Sequence, residues 1–424
     1  MSEIHDTPVV SANLEILKLS DDITALAYPS SGYLTPPQVA SAYNLPYHDG
    51  AGVKIGIIAP LGGGFLQGDL DFMINDMVSN GLLPVGTTSP TINTVLLDGK
   101  SGLFSDDPNN ANGENILDIY CIATMVPAAN ITIYFGANFV STIQRATSDG
   151  CHIISISYGY PSGEATLSGA NLDYFESLLL TPATNAKMAV CISSGDSGST
   201  FGSETVARVA YPGGSPQVIS VGGTKLILNV DQLTRSSETD DNRDNNSTWG
   251  GGGGVSGHFS APSWQSGLYY TPIINNVTGS PTALTMRGVP DISAPMNGYL
   301  VRMDSTWYSM TGTSASAPVM AGMIARIQAI TGKQRSSAEY NALFYNHKGS
   351  FYDIIVGTNN TLITDGYAGT TNWDAVTGLG PPVGNKVFQY MKNGLRLTSG
   401  SVFPNHKFDK RPVSGQVWPR TKTL

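Results

Sequence analysis

The sequence predicts an α/β domain built on a mostly parallel, buried β-sheet with helices on both faces. Short runs that are almost wholly apolar alternate with segments of helical length, as strands covered on both sides should. A hydrophobic share of 41% can build a large core, while only 13% of residues are charged. The 48 glycines supply many tight turns and close backbone approaches. A chain of 424 residues suits one large domain or two smaller ones, and no internal repeat is visible.

Residues 1–32 read as a polar leader without clear periodicity. Thr35, Pro36 and Pro37 open a capped, proline-started helix that reaches Tyr43. Val53 to Ile58 is a strand, and the glycine loop Gly62 to Gly64 leads to a helix from about Leu70 to Asn80. Thr91 to Leu97 is a second strand. The polar loop Asp106 to Gly113 enters a helix from Asn115 to Val126. Strands Ile131–Phe135 and Ile153–Ser157 flank a helix over Val140–Ser148. A helix over Leu167–Leu180 precedes strands at Met188–Ser193 and Val218–Val221. Residues 229–262 are rich in Asn, Asp and Gly, with glycine at every position from 250 to 254, and read as a long surface excursion. Order resumes at Gly288–Pro295. From Leu395 onward six Lys or Arg face one acid, Asp409. This basic, Pro-bearing tail (394–424) folds back, binds a partner, or is a loosely ordered terminus. The body between leader and tail spans 33–393.

A net charge of −9 argues against nucleic acid as the main partner. No run of about twenty apolar residues exists to span a membrane. Met1 to Ala27 lacks the basic start and apolar stretch of a signal peptide. Cys121, Cys151 and Cys191 are too few for a disulfide framework and sit in apolar contexts, as structural core thiols do.

The chemistry gathers at Gly312-Thr313-Ser314-Ala315-Ser316-Ala317-Pro318, followed by an apolar run of helical length rich in Ala and Gly. Ser314 would stand at the mouth of a buried helix, where unpaired N–H groups favour developing negative charge. The alternative is a capping Ser-Thr cluster at an ordinary helix start. A serine nucleophile needs a base. None of the six histidines lies in a Gly-Thr-His helix start, and only His258, after the glycine run, is kept in reserve. Glu114 and Asp118 stand four residues apart and so share one helix face. They serve a cleft, or they are a solvated acidic helix start. Ser194-Gly195-Asp196-Ser197-Gly198 ends a buried strand with a glycine-flanked acid, where open α/β sheets place ligands. The alternative for Asp196 is a turn residue.

These three motifs, in this order, resemble those of the sedolisin family, the serine-carboxyl peptidases related to subtilisins. The likeness extends from Tyr33 to about Met391 and includes Ile154–Gly159, Val221-Gly222-Gly223-Thr224 and Gly288-Val289-Pro290-Asp291. It implies a subtilisin-like fold and a single catalytic domain. It also implies a Ser314–Glu114–Asp118 triad, with Glu114 as general base, Asp118 orienting it and Asp196 in the oxyanion hole. In those roles Asp196 is protonated while Glu114 is ionised. From unperturbed carboxyl values of about 3.9 and 4.3, activity is expected near pH 3–5.

Phe351-Tyr352-Asp353-Ile354 and Thr370-Thr371-Asn372-Trp373-Asp374 place two carboxylates around a loop with free carbonyls, which suits Ca²⁺. The alternative is an Asx-rich turn without metal. The resemblance implies one structural Ca²⁺ held by the carboxylates of Asp353 and Asp374 and the carbonyls of Ile354, Thr370 and Asn372. The family usually has glycine at the last two carbonyl positions. Its members also carry a long prosegment that assists folding and blocks the site, whereas about 32 residues precede the matched region here. The expected activity is endopeptidase cleavage of protein or peptide substrates by a monomer, in an acidic compartment or the extracellular medium. A tripeptidyl-peptidase with the same site, or an inactive binding relative, are the rivals.

Overall fold

The computed structural model describes residues 10–11, 14–19, 33–160, 163–200, 207–229, 234–240, 250–361 and 364–393. In its described parts the leader forms β1 (Val10–Ser11) and β2 (Glu15–Lys18). Helix α1 (Pro36–Ala42) starts as its sequence dictates, with Thr35 and Gln38 closing a reciprocal capping box. Then come β3 (Lys54–Ala59), α2 (Gln67–Ser79), β4 (Asn93–Leu96), α3 (Asn112–Met125), β5 (Asn130–Phe135) and α4 (Phe139–Ser148). Next are β6 (Ile153–Ile156), β7 (Tyr158–Gly159), α5 (Gly169–Phe175), α6 (Thr181–Asn185) and β8 (Ala189–Ser193). The second half supplies β9 (Ile219–Asn229), β10 (Thr234–Asp240), β11 (Gly254–Ser260), β12 (Met286–Val289) and β13 (Ile292–Pro295). A hairpin of β14 (Tyr299–Met303) and β15 (Thr306–Thr311) runs into α7 (Thr313–Thr331), followed by α8 (Ser337–Asn346) and α9 (Gly384–Asn393).

Eight strands make the main sheet, in the order β10-β9-β8-β6-β3-β5-β4 with β13 also beside β9. Every pairing is parallel except β10 with β9. The successive isoleucines of β3 show why the sheet is doubly covered. Ile55 and Ile57 join the core of α3 and α7, while Ile58 joins a separate core built with Phe139, Ile143 and Phe175. The chain leaves β3 toward β4 and β5 on one side and returns to β6 on the other. The crevice at the carboxyl ends of β3 and β6 is thus the topological switch point where such sheets bind ligands.

Four expectations are corrected. The helix expected from Asn115 begins at Asn112, because the Asp107 carboxylate accepts the amide protons of Ala111 (2.6 Å) and Asn112 (3.0 Å). The helix expected over Leu167–Leu180 is α5, a π-helical turn at Glu176–Leu180 and then α6, where Pro182 brings no N–H to the ladder. Strand β9 continues past Val221 because Leu226 is buried while Lys225 and Ile227 face outward, the alternation of a half-covered strand. The glycines at 250–254 are buried rather than part of a surface excursion. The tail at 394–424 lies outside the described residues.

Candidate active site

Helix α7 is buried at every position from Thr313 through Gln328 and packs on α3 and on the sheet strands β6, β8, β9 and β13. Its N-cap residue, Gly312, offers no side chain. The cap comes from across the sheet: Asp196 Oδ1 accepts from the backbone N–H of Thr313 (2.6 Å) and from its hydroxyl (2.7 Å). The Thr313 hydroxyl in turn accepts from the N–H of Gly195 (3.2 Å). A Cβ at Gly312 would come within 2.6 Å of Asp196 Oδ2, so only glycine leaves that approach open. With Asp196 serving as the cap, Ser314 is released from it. The Ser314 hydroxyl is buried and makes no hydrogen bond among the described residues.

Each residue of the nucleophile motif has a visible task. Pro318 lacks an N–H, so the carbonyl of Ser314, four residues earlier, loses its helical partner. The hydroxyl of Ser157, just beyond β6, lies 3.3 Å from that carbonyl. The same hydroxyl stands closer to Asp118 Oδ1, at 2.7 Å, and with one proton it donates chiefly there. Ser316 Oγ donates to the carbonyl of Ala294 (3.0 Å) and lies 3.2 Å from that of Pro295, fixing α7 to the end of β13.

Glu114 and Asp118 project from α3, all of whose residues are buried, which sets aside a solvated acidic helix start. The first turn is anchored at the switch point. Asn112 Oδ1 accepts from Gly64 N–H (2.7 Å) and Asn115 Nδ2 donates to Gly62 carbonyl (3.0 Å). At the far end, Arg326 of α7 donates to the carbonyl of Met125 (2.8 Å). Burial pushes the Asp118 carboxyl well above the usual range, Glu114 beside it adds to the rise, and Ser157 opposes it. Tyr158, 2% exposed, is raised by burial and then by the same two acids, so it belongs to this cluster. Sequence reasoning gave Ser157, Tyr158 and Thr313 no role. The Ser-Tyr-Gly that follows a buried strand was the signal for the first two.

The glycine run completes the Asp196 loop. Gly250 N–H donates to the carbonyl of Asp196 (2.9 Å), and Gly252 N–H to that of Gly195 (2.7 Å). A Cβ at Gly252 would collide with the Ser194 carbonyl. His258, held in reserve as a base, instead meets Asp173 of α5 (Nε2 to Oδ1, 2.9 Å). It lines a separate hollow of about 330 Å³ with Glu164, Arg208 and Val209.

The leader brackets the cluster. Strand β1 pairs antiparallel with β7, which follows Ser157, and β2 pairs antiparallel with β15, which leads into Ser314. The partners run Val10 to Gly159, Ser11 to Tyr158, and Glu15 to Thr311 through Lys18 to Tyr308. Leu14 and Ile16 line a hollow of about 150 Å³ with Leu61, Ala111, Glu114 and Tyr158.

The residues expected to hold a cation converge. Buried Asp374 accepts from the N–H groups of Val376 (3.0 Å), Thr377 (2.8 Å) and Thr370 (3.0 Å). Asp353 Oδ2 accepts from Asn372 N–H (2.8 Å), and Ile354 is buried beside it. Burial pushes Asp374 up to about 7 despite those amides, and Asp353 adds to the rise. Asn372 has φ +70°, a conformation asparagine tolerates better than most residues, so it can follow the path expected of glycine. Among the described residues no group of three or more His, Cys, Asp or Glu could hold a metal. An ion here would therefore rely on carbonyl oxygens, the chemistry of Ca²⁺.

The subtilase family model matches residues 111–380. Kumamolisin of Bacillus sp. (strain MN-32) is 34% identical over 371 residues, spanning 84% of this chain and 63% of the relative. Sedolisin of Pseudomonas sp. (strain 101) is 28% identical over 334 residues, 71% of this chain and 52% of the relative. Tripeptidyl-peptidase 1 of Dictyostelium discoideum is 34% identical over 146 residues, 32% of this chain and 24% of the relative. The chain thus spans less than two thirds of the length of these relatives. The solved structure of Pseudomonas sedolisin, a serine-carboxyl proteinase complexed with two molecules of pseudo-iodotyrostatin, superposes with a TM-score of 0.66 at 24% identity. That superposition covers 86% of this chain and 99% of that one, and it shows the shared subtilisin-like fold.

Proposed function

Because the chain belongs to the subtilase family, in its sedolisin branch of serine-carboxyl peptidases, we propose that it hydrolyses peptide bonds in protein or peptide substrates. The observation that carries the reading is the way α7 begins. Its N-terminus is capped from outside by Asp196, while Ser314 keeps an uncommitted hydroxyl and touches the Glu114–Asp118 helix through Ser157.

In this reading Ser314 Oγ attacks the substrate carbonyl and Glu114 takes its proton, later returning it to the leaving amine. The raised Asp118 keeps its proton while Glu114 is ionised, so that the pair carries one negative charge rather than two. The Ser314 N–H at the positive end of α7 and a protonated Asp196 receive the oxyanion. The Asp196 oxygen turned away from Thr313 is the one to carry that proton. The roles demand acid conditions, since an ionised Asp196 would repel the oxyanion.

Endopeptidase action is favoured over tripeptidyl-peptidase action by the leader. An extended chain lying along β7 and β15 is what an open cleft accepts. Bound Ca²⁺ would be held by Asp353, Asp374 and the carbonyls of Ile354, Thr370 and Asn372, and would neutralise the two loop carboxylates. The test is digestion of a denatured protein from pH 2.5 to 8, with products read by mass spectrometry beside Ser314→Ala. Cleavage confined to acid, absent in the variant, and giving products of mixed length is expected. A rate that peaks above neutral pH rules out the assigned carboxyl roles.

A further inference from the structure

We propose that the hollow between α5, the start of β11 and residues 207–209 is a second binding site, which takes a carboxylate carried on an apolar body. Such a ligand is the C-terminal end of an apolar peptide or a small free acid. The site fills in acid and empties at neutral pH. It stands apart from the Ser314 cluster and does not depend on the peptidase reading.

The walls of the hollow are built in advance. The Glu164 N–H donates to the carbonyl of Val209 (3.1 Å). The Glu164 carboxylate accepts from the Ser256 hydroxyl (2.8 Å) and from the Gly257 N–H (2.9 Å). The turn Gly163–Thr166, the segment at 207–209 and β11 are tied together in this way around the space between them. Ala165, Leu167, Leu172, Val209 and Val255 give that space apolar sides, which suit an aliphatic or aromatic body. Its volume of about 330 Å³ stands at the low end of the range of about 300–1,000 Å³ that small-molecule sites occupy.

His258 supplies the polar contact. Its Nε2 meets Asp173 Oδ1 at 2.9 Å, while its Nδ1 makes no hydrogen bond among the described residues. A Cβ on Gly169 would come within 3.3 Å of that Nδ1, so glycine at the head of α5 keeps this side of the ring open. With Nε2–H given to Asp173, Nδ1 accepts when the ring is neutral and donates when it is charged. A charged ring therefore offers an N–H to a ligand carboxylate, and hydrogen bonds of this ionised kind are about twice as strong as neutral ones. The charged groups around His258 are Asp173, Glu164 and Arg208. Burial raises the Glu164 carboxyl, while Ser256, Gly257 and His258 oppose the rise, so it takes up a proton at higher pH than an ordinary glutamate. Lowering the pH thus adds a positive charge at His258 and removes a negative one at Glu164. Asp173 then balances the imidazolium, and the charge of Arg208 leaves the hollow positive. A peptide carboxylate stays ionised down to about pH 3.5, so a window exists in which ligand and hollow carry opposite charge.

The test uses the full chain carrying Ser314→Ala, so that no probe is cleaved. Isothermal titration calorimetry at pH 4.5 and pH 7.5 compares acetyl-Leu-Leu and 4-phenylbutyrate with their amides. At pH 4.5 at least one acid is expected to bind at least tenfold tighter than its amide, and at least tenfold tighter than at pH 7.5. Whichever acid binds tighter tells a peptide C-terminus from a free acid as the source. Two further variants locate the binding. His258→Gln keeps a polar side chain without the charge, and Gly257→Phe adds a ring where a Cβ meets nothing within 4 Å. Each, shown by circular dichroism to be folded, is expected to weaken binding of the acid at least tenfold at pH 4.5. Equal affinity for acid and amide, equal affinity at the two pH values, or affinity undiminished in either folded variant overturns the site. The peptidase reading is judged by digestion of denatured protein and stands or falls apart from these titrations.

Discussion

Asp118 and Asp196 are both buried carboxyls, and their surroundings differ. Asp196 accepts two hydrogen bonds on one oxygen at a helix N-terminus. Asp118 lies beside Glu114 in the core, which favours the neutral form. The sign of the effect on stability follows. Below the unfolded value of about 3.9 both states hold the Asp118 proton and nothing is lost. As pH rises above it the unfolded chain releases that proton while the fold retains it, so stability declines toward the raised folded value. Asp118→Asn removes this decline. Thermal melts should show the variant gaining on the parent from pH 4 to pH 7. A constant difference across that range would mean that Asp118 is ionised in the fold.

Elements position the site through junctions that pair a backbone group with a foreign side chain. Pro318 frees the Ser314 carbonyl for Ser157, and Asp107 starts α3 early enough to put Glu114 in its first turn. The Gly288–Asp291 landmark works in the same way. Asp291 takes both guanidinium nitrogens of buried Arg287 (2.7 and 2.6 Å), the Tyr345 hydroxyl and the Ser220 N–H, locking β12, β9 and α8 together. The glycine run is the most exacting junction, since Gly252 lies on the Ser194 carbonyl with no room for a methyl group. Gly252→Ala is expected to displace the Asp196 loop and lower kcat/KM at least tenfold. Loss of melting temperature with full kcat/KM in the surviving folded fraction would separate this loop from the chemistry.

At the scale of the whole molecule, the body is clamped at two places far apart in sequence. The loop at 370–377 reaches Asp353 on one side and the glycine run on the other, where the Asn359 amide donates to the carbonyls of Ala375 (3.0 Å) and Gly253 (3.3 Å). A cation among Asp353 and Asp374 would therefore stiffen the support of the Asp196 loop. Calcium at about a hundred times its dissociation constant should stabilise the fold by about 2.7 kcal/mol. That is a rise of a few degrees in melting temperature, reversed by chelator and lost in Asp374→Asn. Magnesium giving the same rise would point to a less specific ion site. The leader is the other clamp, pairing with β7 and with β15 on the two sides of the site.

The sequence by itself determined the sheet, its helices and the three motifs, because period and composition are local and survive without neighbours. Ser314, Glu114, Asp118 and Asp196 could each be named from a few residues around them, and so could the loop carboxylates Asp353 and Asp374. Only the tertiary structure decided which atoms meet. That Asp196 caps α7, that Ser157 bridges to Asp118, and that the glycine run is buried all depend on pairs more than twenty residues apart. No local signal encodes such a meeting. The leader is the clearest case: β2 has too little buried surface to announce itself by periodicity, and it is a strand because β15 offers an edge with unpaired backbone groups.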